Sequence, residues 1–423
     1  MMSRNLKWLF LCSALVFAST ICSVAQTAGQ ALERSLYAPS PLPDRIVLTW
    51  SDSPATTQAV TWRTDASVTR PVAQVAIASD GPDFEHRART VPATTTPQDS
   101  PQWTARHHTV VFTTLAPDTL YAYRVGDGTR WSEWFHFRTA SSQPKPFSFL
   151  YFGDVQNDIL QQGSRVIREA FRRNREASFL VFAGDLVDSG SDDTLWAEFF
   201  EAGSWIVSML PVVPAAGNHE YTDKTLPPCW RAQFALPLNG IAGLEETSYY
   251  LDYQGARIVV LNSVRMHDEQ AAWLDRVLEC PIGTWKVVIF HHPLFTLRAD
   301  RTDNSSLIKH WKPLFEKHRV DLVLTGHDHA YARSGLIGGT VYVSSVAGAK
   351  QRPVKRQAWM ARSGEGVQLY QVVRIADNLL SYESWTAAGD LFDAFELRKT
   401  PGKQNVLRNL PIPRRSSAAT QTR

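Results

Sequence analysis

The sequence predicts two domains of different class: an N-terminal all-β sandwich, then an α/β domain flanked by helices. Three observations predict them. The chain has 423 residues, too many for one ordinary core. Residues 45–139 read as short β-branched and aromatic runs separated by turn residues. Beyond a Ser/Pro-rich linker candidate, "TASSQPKP" (139–146), strand patterns alternate with helical ones.

The N-terminus comes first. "MMSRNLK" is short and basic, and "WLFLCSALVFASTIC" is apolar but short for a bilayer span. Small residues at Ser23 and Ala25 complete a signal-peptide pattern, with cleavage expected after Ala25. An uncleaved anchor is the alternative. The pattern predicts an exported protein, periplasmic or secreted, with no membrane span once residues 1–25 are removed. Losing Arg4 and Lys7 takes the formal net charge from +3 to +1 (3 − 2 = 1). A near-neutral chain offers no bulk-charge argument for nucleic-acid binding. Of four Cys, two leave with the signal, and Cys229 and Cys280 could pair in an oxidising compartment.

The sandwich is expected over residues 44–140. "IVLTW", "QAVTWRT", "VAQVAIA", "HHTVVFT" and "LYAYRV" are its strands, and "RVGDGTRWSEWFHF" reads as a hairpin turning at Asp127-Gly128. "LAPDTLYAYRV" resembles the fibronectin type III signature through Leu115, Pro117, Thr119, Tyr121 and Tyr123. No catalytic cluster stands out in this half.

The α/β domain is expected over residues 146–398. "FSFLYF" opens it as a strand, and "ILQQGSRVIREAFRRNRE" follows as a helix with Ile159, Val166, Ile167, Ala170 and Phe171 on one face. Strand "SFLVFAGD", helix "TLWAEFFEAGSWIVSML" and strand "PVVPAAGNH" come next. Then come helix "DEQAAWLDRVLE", strand "WKVVIFHH", helix "SLIKHWKPLFEKHR" and strand "VDLVLTGHDH". "TVYVSSVA" and "LYQVVRI" are further strands. Residues 399–423 end in "RRSSAATQTR" and read as a flexible basic tail.

Five of these strands stop at metal-capable residues: Asp154 with Gln156, Asp185, Asn218 with His219, His291 with His292, and His327 with His329. Ligand sites in open α/β sheets gather at the carboxyl ends of strands. One "GD" is a common turn and one HxH a common packed pair, but the ordered set is not explained by capping. Carboxylate and amide oxygens suit hard cations, and imidazoles suit zinc, iron or manganese. Two such metals can share a carboxylate and trap a hydroxide between them. Asp185, at a tight Gly-Asp turn, suits the shared position. Strand alternation would turn Asp154 and Gln156 one way, and His327 and His329 likewise.

"FGDVQ", "AGDLVDSG", "AGNHE", "VIFHH" and "TGHDHAYAR" resemble the five blocks of the calcineurin-like metallophosphoesterase superfamily. The likeness is closest to purple acid phosphatases, through the β-domain that precedes the blocks and through "GHDHAYAR". It runs from about residue 44 to 398. The resemblance implies two packed mixed sheets and two metal ions, drawn from Fe, Mn or Zn. Asp154, Asp185 and His329 would hold metal one, and Asp185, Asn218, His291 and His327 metal two. His219 would protonate the leaving group or orient the phosphate. His292 and Tyr331 are candidates for lining the substrate pocket, though packing is the blander role for Tyr331. Glu220 could orient a ligand from behind, and Arg333 could meet phosphate, though an Arg after a strand is usually a surface ion pair.

The chain departs from that family at one position. Purple acid phosphatases carry an iron-ligating Tyr three residues after the second block's Asp, and here that place is Asp188. The "GDxxD" form belongs to the wider superfamily, whose first block supplies a second ligand two residues after its Asp. Gln156 occupies that place and is expected to face metal one.

The resemblance thus implies a dinuclear metal-dependent phosphatase that hydrolyses phosphate monoesters by metal-activated hydroxide attack. Two alternatives remain at this point. A phosphodiesterase or nucleotidase could use the same metals. A non-catalytic protein could bind a surface ligand through its sandwich.

Overall fold

The computed structural model describes residues 37–99, 103–281, 283–400 and 403–412. The expected signal peptide and the end of the expected tail lie outside the described residues.

Eight strands form the first domain: β1 (Asp44–Thr49), β2 (Gln58–Asp65), β3 (Val72–Ile77), β4 (Arg89–Pro92), β5 (Thr94–Asp99), β6 (Thr104–Phe112), β7 (Leu120–Gly126) and β8 (Phe135–Arg138). They make two four-stranded antiparallel sheets, ordered β1-β2-β6-β5 and β4-β3-β7-β8. Alternation along each strand drives Leu48, Val60, Trp62, Val75, Phe112, Tyr123 and Phe137 into one core. Asp127 turns as expected, its carboxylate accepting from Thr129 and Arg130 N–H, with Gly128 at φ +90°. The returning chain bridges Gly126 at Trp131 and pairs as a regular strand from Phe135.

The second domain supplies β9 (Phe147–Phe152), β10 (Phe179–Ala183), β11 (Val212–Ala215), β12 (Tyr249–Tyr253), β13 (Ala256–Val260), β14 (Trp285–Ile289) and β15 (Leu322–Thr325). It continues with β16 (Tyr331–Ser334), β17 (Val341–Ser344), β18 (Met360–Gly364), β19 (Leu369–Ala376), β20 (Leu379–Thr386), β21 (Leu391–Arg398) and β22 (Val406–Asn409). Two seven-stranded mixed sheets result, ordered β11-β10-β9-β19-β20-β21-β22 and β12-β13-β14-β15-β17-β16-β18. Their parallel strands are apolar on both faces, as sheets covered on both sides require. One core joins the sheets, with Phe149, Tyr151 and Phe179 meeting Ile258, Val287 and Leu324. Helices α1 (Ser164–Arg173) and α2 (Asp193–Gly203) pack beside the first sheet, and α3 (Pro228–Gln233) follows them. Helices α4 (His267–Val277), α5 (Ser305–His310) and α6 (Lys312–Lys317) cover the second, around Trp273, Phe290, Trp311 and Phe315.

Three expectations are corrected. The single helix expected over "SLIKHWKPLFEKHR" breaks at Trp311, because Pro313 cannot donate a helical hydrogen bond. The expected tail is ordered over Val406–Asn409, which adds to the sheet edge beside β21. The Ser/Pro-rich stretch is no free linker: Ala140 N–H donates to the Pro54 carbonyl at 3.0 Å, and Ser141 N–H to Gln254 Oε1 at 2.8 Å.

The domains share a polar and aromatic contact. Arg45 on β1 grips Asp193, the first residue of α2, with both terminal nitrogens at 2.7 Å. Leu48 N–H donates to the Val207 carbonyl, and the Tyr123 hydroxyl to the Ser208 carbonyl. Cys229 and Cys280 are both free thiols: Cys229 donates to the Gly190 carbonyl and Cys280 lies against the Val277 carbonyl.

Candidate metal centre

The five expected blocks follow β9, β10, β11, β14 and β15, all at the carboxyl ends of parallel strands. Asp154 leaves β9 by bridging to Val346. Asp185, His327 and His329 lie past their strands in the left-handed region, at φ 51°, 74° and 51°. Alternation therefore does not aim the two histidines; strained loop backbone does. Glycines before the ligands let the loops close up. A Cβ on Gly217 would stand 2.1 Å from Asp185 Oδ1, and one on Gly326 2.0 Å from Asp154 Oδ1.

Two ligand groups result. Asp154, Asp185 and His329 are buried together, and His291, His292 and His327 converge beside them. Asp185 joins the groups, since its Oδ2 lies 3.0 Å from His291 Nε2 and 3.3 Å from Gln156 Nε2. Asn218 Oδ1 and His327 Nδ1 reach the same His291 nitrogen at 3.1 and 3.0 Å. Gln156 is fully buried, and its Nε2 also lies 3.2 Å from His329 Nε2.

Electrostatics separate the residues. Burial pushes the Asp154 carboxyl up to about 7. Burial acts most strongly on Asp185 and would raise it, but the charge and hydrogen bond of His291 together with the contacts of His219 hold it down at about 2. Burial opposes charge on His291, yet the Asp185 carboxylate lifts it to about 9. Burial pulls His292 and His329 down to about 3, and His327 lower still. Neutral imidazoles keep the lone pair that a metal needs.

A supporting layer fixes this arrangement. Glu220 accepts from four backbone N–H groups: Asp185 and Gly217 on Oε2, Leu186 and Val187 on Oε1. Those bonds tie Glu220 to the backbone of Asp185 and of Gly217, which precedes Asn218. Asp328, between the two histidines of its block, accepts from Leu297 N–H, Thr296 and Arg301. His219 N–H donates to Asp185 Oδ1 at 3.0 Å. Its ring Nδ1 lies 2.7 Å from the Asp188 carbonyl and 3.5 Å from the Asp188 carboxylate.

Two candidates move. Tyr331 is fully buried, with its hydroxyl donating to Asp393 Oδ2 at 2.8 Å, so it packs the core and does not line the pocket. Arg333 is not a surface ion pair; it is buried against Asp393 at 2.6 Å. His292 does stand at the site, its ring 4.1 Å from that of His327 and its Nδ1 on Ser263 Oγ at 3.0 Å. Sequence reasoning missed Ser263 and the contact of Asp188 with His219. The "GDxxD" spacing was the available signal for the second.

Residues 43–139 match the family model described as the purple acid phosphatase N-terminal domain, and residues 147–331 match that of calcineurin-like phosphoesterases. The chain is purple acid phosphatase-like. It is 29% identical over 271 residues to an uncharacterized protein of Mycobacterium tuberculosis, covering 54% of this chain and 51% of that one. It is 25% identical over 260 residues to an Fe(3+)-Zn(2+) purple acid phosphatase of Arabidopsis thaliana, covering 56% and 54%. The chain thus spans about half the length of these curated relatives. A purple acid phosphatase from yellow lupin (Lupinus luteus) seeds superposes with TM-score 0.72 at 19% identity, over 84% of this chain and 74% of that one. The structure of PhoD superposes at 0.64 and 11% identity, over 89% and 92%. At these identities the superpositions establish the shared fold.

The family implies two metal ions, and the donor set fits them. Asp154 Oδ2, Gln156 Oε1 and His329 Nδ1 are buried polar atoms with no hydrogen-bond partner. Such atoms are rare in native interiors, and Asp154 Oδ2 and His329 Nδ1 lie 3.3 Å apart, where one cation would satisfy both.

Proposed function

We propose that the chain is an exported phosphatase that hydrolyses phosphate monoesters at a dinuclear metal site. The observation that carries this reading is Asp185, whose Oδ2 faces both ligand groups at once. Asp154, Gln156 and His329 would hold one ion and Asn218, His291 and His327 the other, with Asp185 common to both. Bound there, the metal pair would activate water as nucleophile and neutralise charge on the phosphoryl oxygens.

The remaining steps belong to the chain. His219 Nδ1–H donates to the Asp188 carbonyl, which leaves Nε2 as the free ring nitrogen. When the ring is protonated, Nε2–H supplies the proton that the leaving oxygen takes up as the P–O bond breaks. The Asp188 and Asp185 carboxylates lie 3.5 and 4.0 Å from the two ring nitrogens. Ser263 Oγ accepts from His292 N–H and can donate its own proton to His292 Nδ1. His292 Nε2–H is then available to a phosphoryl oxygen. Glu220 holds the Asp185 loop rigid through its four backbone bonds, so the ligands keep their places during turnover.

Export rests on the basic and apolar N-terminal residues. No helix among the described residues is long and apolar enough to cross a membrane.

The test is hydrolysis of p-nitrophenyl phosphate and its bis-ester by protein loaded with Fe, Mn or Zn. Chelation should abolish monoester hydrolysis and metal should restore it. A faster diester rate would replace the phosphatase reading with a phosphodiesterase, and no hydrolysis of either would remove the enzyme reading. Mass spectrometry of protein expressed with its N-terminus tests export, with Gln26 as the expected first residue.

A further inference from the structure

The segment "GAKQRPVKRQ" carries Lys350, Arg352, Lys355 and Arg356 within seven residues, in a chain whose net charge is only +3. It forms no helix or strand. It is nonetheless pinned beside the first ligand group. Ala347 and Gly348 N–H both donate to the Asp154 carbonyl, at 3.1 and 2.6 Å. Arg352 N–H donates to the His329 carbonyl at 2.9 Å. Further along, Lys355 N–H donates to the Leu297 carbonyl at 2.8 Å. Two residues that would hold metal one therefore anchor the segment on either side of Lys350.

The cations it carries are mostly uncommitted. Among the described residues, the side chains of Lys350 and Arg352 make no ion pair or hydrogen bond. Arg352 is exposed and Lys350 half-buried. The nearby Glu365 carboxylate is engaged by Val354 N–H. Lys350 and Arg352 thus lie on the side of the centre where the His329 carbonyl holds the chain. On the other side of the His327 and His329 block, Arg301 is tied to Asp328 at 3.0 Å. An ordinary exposed cation is solvated and free to wander. These two sit on backbone held in place by the ligand residues themselves.

We propose that Lys350 and Arg352 form a second anion subsite at the lip of the metal centre, selecting phosphate esters that carry a further phosphoryl group. The inference rests on the phosphoesterase reading above. The reacting phosphoryl group enters the metal centre, and a second one on the same small molecule meets the Lys350 ammonium and the Arg352 guanidinium. Arg suits this role because its planar fork matches phosphate oxygens. Arg352 is exposed and Lys350 only half-buried, so salt weakens both contacts.

The experiment compares fructose bisphosphate with fructose monophosphate on the metal-loaded full chain, by kcat and KM and by calorimetric binding. The bisphosphate should have a kcat/KM about tenfold higher, a size that one or two charge-assisted contacts supply. The advantage should sit in KM, fall with added salt and collapse in K350A/R352A. Both positions are outside the core, so circular dichroism and metal content of the double variant should match the parent. Equal hydrolysis of the two sugars, unchanged by the substitutions, would overturn the subsite and leave the phosphatase intact. A chain that hydrolyses neither sugar but binds the bisphosphate about tenfold tighter would lose the enzyme and keep the subsite. Equal binding without hydrolysis would remove both.

Discussion

The ring Nδ1 of His219 lies 2.7 Å from the backbone carbonyl of Asp188, the residue that stands where purple acid phosphatases have their metal-ligating tyrosine. The departure from the family pattern is thus in direct contact with the proposed acid. A carbonyl accepts only, so the contact fixes which ring nitrogen faces the substrate.

His219→Ala should therefore penalise substrates by leaving group. Alkyl phosphates need a proton on the departing oxygen and should lose about 10²–10⁴-fold in kcat. Dinitrophenyl phosphate leaves without one and should lose far less. Metal content should stay near that of the parent, because the change removes no ligand. An equal loss across both substrates would make His219 a phosphate-orienting residue instead.

Gln156 offers a second expectation. Its Oε1 is buried without a partner, and its Nε2 lies 3.3 Å from Asp185 Oδ2 and 3.2 Å from His329 Nε2. Gln156→Leu should weaken one of the two metal sites while the site on Asn218, His291 and His327 persists. Gln156→His should retain or tighten the weakened one, since imidazole is a strong donor to these metals. Metal titration followed by calorimetry reads both. Two unchanged affinities in the Leu variant would show that Gln156 serves the turn alone. With Asp188 in place of tyrosine, iron-loaded protein should also lack the phenolate charge-transfer band.

Asp193 should matter to stability out of proportion to its place at a helix start. It accepts from Arg45 twice, from Arg63 at 3.1 Å and from Trp103 Nε1 at 2.9 Å. The Arg45 and Arg63 side chains are only 4% and 2% exposed, so neither can turn to water if Asp193 is lost. Asp193→Ala should cost about 3–5 kcal/mol, the usual penalty for stranding a buried charge. Arg63 retains Asp44, so Arg45 carries most of the loss. Urea denaturation checks the size, and faster protease cleavage near residues 139–146 would show that the domains part there.

The ligand set was legible because each member follows an apolar strand, and the carboxyl ends of parallel strands meet in space. Tyr331 was not, since adjacency to His329 suggests the pocket while β16 turns its ring into the core toward Asp393. Arg333 was misread for a related reason: its buried partner lies 60 residues away, and no local pattern announces it. The strand Val406–Asn409 is too short to show a period. It exists because β21 presents an unpaired edge, which is a property of the sheet. Asp188 is intermediate, since the spacing marked it and only the fold showed which residue it touches.

Glu246 gives the last expectation, on pH. Burial pushes its carboxyl up to about 7, even though Leu236 N–H donates to it at 3.1 Å. Below the unfolded-chain value near ~4.3 the group is neutral in both states and costs nothing. As pH rises from there to about 7, the unfolded chain ionises first, so stability falls through that window and stays low above it. Glu246→Gln keeps an oxygen for Leu236 and removes the charge. The variant should match the parent near ~pH 4 and exceed it at neutral pH by on the order of 1–3 kcal/mol. Thermal melts across that range decide it. A gap of constant size at all pH values would mean that packing, and not ionisation of Glu246, separates the two proteins.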